Sequence, residues 1–127
     1  MRRLLAGAIF ALLGAHAARA ACLKAETDDQ VAQGKLTYVR IVDEGYNRTE
    51  HAYILQLVAP ACLDGSDEID KVEKSTRIHI FAMEKPLLDR LCRLIGKRVE
   101  VHGNPFGEHT AHHHAPIVMK ISKIDRL

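Results

Sequence analysis

Five of the eight histidines fall within one short stretch, as His102, His109, His112, His113 and His114. Neutral imidazole is the commonest protein ligand for borderline transition metals and changes charge near physiological pH. His102, His112 and His114, with His109 above them, are the expected ligands of a divalent transition metal: zinc, copper or nickel. Three nitrogens and one open position suit any of these ions. Glu108 beside them would serve as a general base on a metal-bound water only if such a centre were catalytic. The sequence holds no Ser/His/Asp order, Gly-rich phosphate loop or His-Glu-x-x-His, so binding is expected and an enzyme is not. A competing expectation makes the loop structural, with His113, Thr110 and Pro116 satisfying its backbone and the His112 and His114 rings solvated.

The elements that must position these rings follow from periodicity. Residues 35–42 are rich in β-formers, and Asp43-Glu44-Gly45-Tyr46-Asn47 is turn chemistry. Residues 51–58 alternate Tyr53, Leu55 and Leu57 until Ala59-Pro60 stops them, and 63–75 read as a polar surface connection. Residues 77–82 alternate Ile78, Ile80 and Ala82. A helix follows, with Pro86 in its first turn and Gly96 beyond its last apolar residue. Residues 97–101 and 117–121 complete the set by alternation of Val99 with Val101, and of Ile117, Met119 and Ile121. Residues 21–34 are too mixed in character to assign.

Strand, strand, strand, helix, strand, strand is the order of an OB-like five-stranded Greek-key barrel, mainly β with one helix. An α+β fold with the helix on an open antiparallel sheet gives the same order. In the barrel, the loop between the last two strands borders the ligand face, and here that loop carries the histidines. With Ile117, Met119 and Ile121 inward, parity turns His112 and His114 outward and His113 inward. A hairpin centred near residues 107–109 would set His102 opposite His114.

Met1-Arg2-Arg3, an apolar run over residues 4–17 and Ala18-Arg19-Ala20 predict a cleaved signal peptide over 1–20. One exported domain over 21–127 follows, periplasmic or secreted, with no membrane span. Arg19 stands where a lipobox wants a large aliphatic residue before Cys22, which argues against a lipid anchor. Arg2, Arg3 and Arg19 leave with the signal, so about 15 basic side chains face 16 acidic ones. Their signs alternate along the chain, which excludes the concentrated positive surface that nucleic acid needs. Of the three cysteines, Cys22 and Cys62 lie beside loop-like segments and are expected to pair. Cys92 shares a helical face with Leu88 and Ile95 and is expected to be a buried free thiol.

Residues 103–118 resemble the C-terminal signature of a family of small exported bacterial domains of unknown function, Gly-x-Leu-Phe-x-x-x-Thr-Gly-His-His-His-Thr-Pro-Val. Gly103, Phe106, Thr110, His112, His113, His114 and Pro116 match it, while Pro105, Ala111 and Ala115 depart from it. Gly96-Lys97-Arg98-Val99-Glu100-Val101 resembles the family's Gly-Lys-x-Val-x-Val. Ala21-Cys22-Leu23 and Pro60-Ala61-Cys62 resemble its cysteine segments, a likeness that also implies the Cys22–Cys62 bridge. The resemblance brings no activity. Two functions are therefore expected to compete: a binding module for a metal ion or small ligand, and an accessory domain that docks another envelope protein.

Overall fold

The computed structural model describes residues 21–127; the expected signal peptide lies outside the described residues. The strands are β1 (Leu23–Lys24), β2 (Gln30–Asp43), β3 (Arg48–Asp64), β4 (Val72–Phe81), β5 (Arg98–Gly107) and β6 (Ile117–Arg126), and the helix α1 is Lys85–Arg93. Sheet order is β1-β3-β2-β5-β6-β4, and β3 also pairs with β4, which closes the sheet. The result is a five-stranded OB-like barrel with β1 as an extra strand alongside β3. β4 and β6 run parallel, while the other barrel pairs are antiparallel. Closure excludes the open α+β sheet, and leaves few backbone groups on a free edge. Among the described residues no helix is long and apolar enough to cross a membrane.

Leu36, Leu55, Ile78, Ile80, Val99, Val101, Ile117 and Met119 are fully buried, so the inward-facing alternation expected for the last strands is observed. At about 25 cal/mol per Å² of apolar surface, such side chains supply most of the driving force for closure.

Several strand boundaries differ from expectation. β2 begins at Gln30 rather than Lys35, because its early inward positions are Ala32 and Gly34, too small to mark a hydrophobic face. Gly34 has to be small, since a Cβ there would lie 2.2 Å from the Gln56 carbonyl oxygen. β3 continues through Pro60 to Asp64. The β3–β4 register shifts between Gln56 and Ala61, and an irregular ladder tolerates the missing proline N–H. β4 starts at Val72, inside the segment expected to be a surface connection. β5 runs through Pro105 to Gly107.

The helix is where expected but is rotated. Leu91 is fully buried with Leu87 and Leu94 packed beside it, whereas Leu88, Cys92 and Ile95 are exposed. Leu87-Leu91-Leu94 and Leu88-Cys92-Ile95 have the same i, i+4, i+7 spacing, one residue or about 100° apart, so periodicity alone does not choose between them. The three-leucine stripe wins because it buries more apolar surface. Cys92 is therefore an exposed free thiol, not a buried one. Gly96 ends the helical segment at φ +84°, where a side chain would be strained, and its N–H donates to the Leu36 carbonyl at 2.7 Å.

Cys22 and Cys62 form the disulfide, which ties β1 to the far end of β3. Closing 40 residues of sequence stabilises the fold by about 4 kcal/mol if loop entropy dominates. A thiol reagent should modify one cysteine, Cys92, in the native protein, and a non-reducing digest should yield the Cys22–Cys62 peptide. Protection of Cys92 until denaturation would contradict the helix orientation.

Candidate functional site

Ladder register builds the site before any histidine is considered. Phe106 pairs with Val118, Val118 with His79, and His79 with Ile54. Paired residues point to the same face, so these four side chains form a row across the outer wall of the barrel. Val118 is fully buried although it faces away from the barrel interior. Its cover is the β5–β6 loop, residues 108–116, which folds back over the row. Ala115 completes a small outer cluster with Ala52 and Ile54, against which Val39 and Ile41 pack.

The loop is held by hydrogen bonds. The Glu108 N–H donates to the Pro116 carbonyl at 3.1 Å and closes the loop at its base. The His113 N–H donates to the Thr110 carbonyl at 3.1 Å, and the Thr110 hydroxyl accepts from the His112 N–H at 3.2 Å. His113 Nδ1 accepts from the His109 N–H at 3.1 Å, while His109 Nδ1 lies 3.0 Å from the Gly107 carbonyl and must be the donor there. The His113 ring also meets Phe106 edge-on, with centroids 5.3 Å apart. Beneath the loop, His79 Nδ1 accepts from the His114 N–H at 3.2 Å and its ring stacks on His114 at 5.6 Å.

One carboxylate from the barrel wall receives two loop histidines. Glu50 on β3 has Oε1 at 2.5 Å from His112 Nδ1 and Oε2 at 2.9 Å from His114 Nε2. Arg48 adds a longer ion pair at 3.8 Å. The hydrogen bond from His114 is the main cause that holds the Glu50 carboxyl below the usual carboxylate range; desolvation opposes it, and His112 and Arg48 assist. Burial, then the His114 and His113 rings, push the His79 imidazole down to about 4, with Glu50 opposing. Burial, followed by the His109 ring, also lowers His113. Between the loop and the β2–β3 turn lies a cleft of about 460 Å³ lined by Ile41, Val42, Asp43, Glu44, Arg48, Glu50, Ala111 and His114.

The expected convergence of His102 with His112 and His114 does not occur. β5 and β6 pair as far as Gly107 with Ile117, so the hairpin centres near residue 112 and His102 lies opposite Lys123. His102 Nε2 instead donates to Glu100 Oε1 at 3.0 Å, four positions and roughly 13 Å along the strand from Phe106. Strand parity does not reach His112, His113 or His114, because β6 begins only at Ile117. His113 packs on the outer wall rather than in the core. The His114 side chain is the sheltered one at 16% exposure, against 61% for His112. Glu108 is exposed and only its backbone joins the network described. Among the described residues, no three His, Cys, Asp or Glu side chains are arranged to hold a metal ion.

Glu50 and His79 were missed by sequence reasoning. His79 carries no local signal because its partners are 34 or more residues away in the chain. The only signal for Glu50 is its shared parity with Ala52 and Ile54.

Residues 77–125 match the model of a domain of unknown function, DUF4431. The match fits the resemblance to a family without an assigned activity. It spans the second half of β4, the helix, β5, the histidine loop and nearly all of β6, and leaves out β2 and β3 with Glu50. No curated protein matches the chain.

Two outcomes follow from this geometry. His114→Ala should destabilise the protein by about 1 kcal/mol, because it removes the Glu50 hydrogen bond and the stacking on His79 while the backbone bond to His79 remains. His112→Ala, at an exposed position, should cost less than about 0.5 kcal/mol; urea unfolding of the two variants measures the difference. The unfolded His79 ring takes up a proton near 6.5, whereas the folded ring stays neutral down to about 4. Stability should therefore fall as pH drops through that window, by on the order of 1–2 kcal/mol from this half-buried, partly screened ring. His79→Asn keeps an acceptor for the His114 N–H and removes the titration, so it should flatten that part of a melting-temperature profile.

Proposed function

We propose that this protein is an exported binding module that takes a small cation at the mouth of the cleft between the β2–β3 turn and the histidine loop. The observation that carries this reading is the Glu50 carboxylate set between His112 and His114 at that cleft. Barrels of this architecture use the same pair of loops for ligands. Asp43 and Glu44 add negative charge against the single Arg48, which favours a positively charged occupant. A divalent transition metal, zinc, copper or nickel, is the smallest member of that class. His112, the more exposed ring, would turn to share the ion with His114 and Glu50, both nitrogens giving up their protons to ligate. The disulfide supports an oxidising compartment, periplasmic or secreted.

Binding is a better reading than catalysis because the groups able to move protons are committed to holding the loop. His79, His109 and His113 each use Nδ1 in a backbone hydrogen bond. The alternative, an accessory domain docking another envelope protein, draws on the exposed Leu88-Cys92-Ile95 stripe. Such a partner would stay bound in a chelator.

Titration calorimetry with zinc, copper and nickel tests the proposal. Stoichiometric uptake tighter than about 10 μM is expected for at least one ion. At metal a hundred times above Kd the protein should gain about 2.7 kcal/mol of stability, and lose that gain below about pH 5.5. Glu50→Gln should weaken binding at least about tenfold, near 1.4 kcal/mol, whereas His102→Ala should leave it unchanged. Absence of uptake, or equal losses in both variants, would rule the site out.

A further inference from the structure

A second and larger cleft, about 620 Å³, opens elsewhere on the barrel wall. Its floor carries Phe81 and Phe106, which meet edge to face with centroids 6.2 Å apart. One rim is the turn between β1 and β2, which supplies Glu26, Asp28 and Asp29. The ladder sets Lys120 on the wall between Phe81 and Asn104, and Ser122 also lines the cleft. The turn is fixed to β5 at two points. The Glu26 N–H donates to the Pro105 carbonyl at 2.9 Å, and Asn104 Nδ2 donates to Asp28 Oδ1 at 3.0 Å. The Asp28 carboxylate is thus oriented on the rim rather than swinging freely.

A concave site of this volume is large enough for a small organic molecule. Aromatic faces carry a negative quadrupole that attracts cations and also offer apolar contact. Three carboxylates against one ammonium make the rim net negative, which repels anions. A neutral ligand would gain the floor and no charge attraction from the rim. We propose that this cleft binds an organic monocation, an alkyl- or arylammonium, with its apolar body on Phe81 and Phe106 and its charge toward Asp28 and Asp29. Lys120, on the wall beside Phe81, opposes a second positive charge, so a polyamine fits less well. This site is separate from the Glu50 cleft and goes beyond the function proposed for it.

Amide chemical-shift titration with benzylammonium, and with benzyl alcohol as its neutral near-isostere, tests the proposal. Benzylammonium should give saturable shifts at Asp28, Asn104 and Phe106 with Kd near 1 mM, an order-of-magnitude expectation for so small a ligand. Benzyl alcohol should bind at least about fivefold more weakly, the equivalent of roughly 1 kcal/mol of cation attraction. Asp28→Asn combined with Asp29→Asn should weaken the ammonium severalfold and leave the alcohol unchanged; the amide spectrum reports whether the variant is folded. Should it not fold, the comparison of the two probes on the unsubstituted protein decides alone. Equal affinity for the two probes, shifts confined to other surfaces, no saturable shift, or undiminished ammonium binding by the folded variant would overturn the proposal.

Discussion

The parallel pairing of β4 with β6 is the seam of the closed barrel around which the rest of the molecule is arranged. Ile78 and Ile80 meet Ile117 and Met119 inside, all four fully buried. The same register sets His79 beside Val118 outside. An outward valine between two barrel strands has to be covered or left wet, and the loop leading into β6 is the segment close enough to cover it. Burying the start of β6 on both faces therefore draws the histidine loop down onto the wall. The imidazoles are brought together by that packing, not by strand alternation.

Once the loop lies on the wall, its backbone loses water and needs partners. Histidine suits this position because one ring offers both an acceptor and a donor nitrogen. His79 and His113 accept through Nδ1, while His109 donates from the same atom. Three rings of one type thus serve opposite roles through their tautomers. Glu50 supplies the remaining acceptor pair, and its charge contacts both His112 and His114. The structural and the ligand-binding readings of the histidines are then compatible, since the same contacts that hold the loop also present a carboxylate at the cleft.

Much of this fold was legible in the sequence, because inward positions filled by branched residues announce themselves. Ile78, Ile80, Val99, Val101, Ile117 and Met119 fixed the strand order, and Pro86 and Gly96 bracketed the helix. What stayed hidden had specific physical causes. Ala32 and Gly34 are inward but too small to signal it. Pro60 and Pro105 look like strand breakers, yet both lie within strands, Pro60 where the ladder is irregular. The two helical stripes differ by one residue, and the choice depends on which of them the barrel end receives. The site was half legible: the loop was identified, but its register was set by strand ends that the prolines disguised. Glu50 belongs to another hairpin, and nothing local links it to residue 112 or 114.

Gly107 stands at the root of the loop, and its surroundings bear on how a ligand would be received. A Cβ there would fall on the Ile69 carbonyl, and its N–H donates to Asp70 Oδ1 at 2.9 Å. With the Glu108–Pro116 backbone bond just beyond it, the stem of the loop is clamped while its tip carries the exposed His112 ring. Freedom is thus confined to the tip. A ligand would have few rotamers to freeze, and little of its interaction energy would be lost to ordering the chain. Such a rigid stem also means that occupancy would be felt as a change in side-chain mobility rather than as a movement of the backbone.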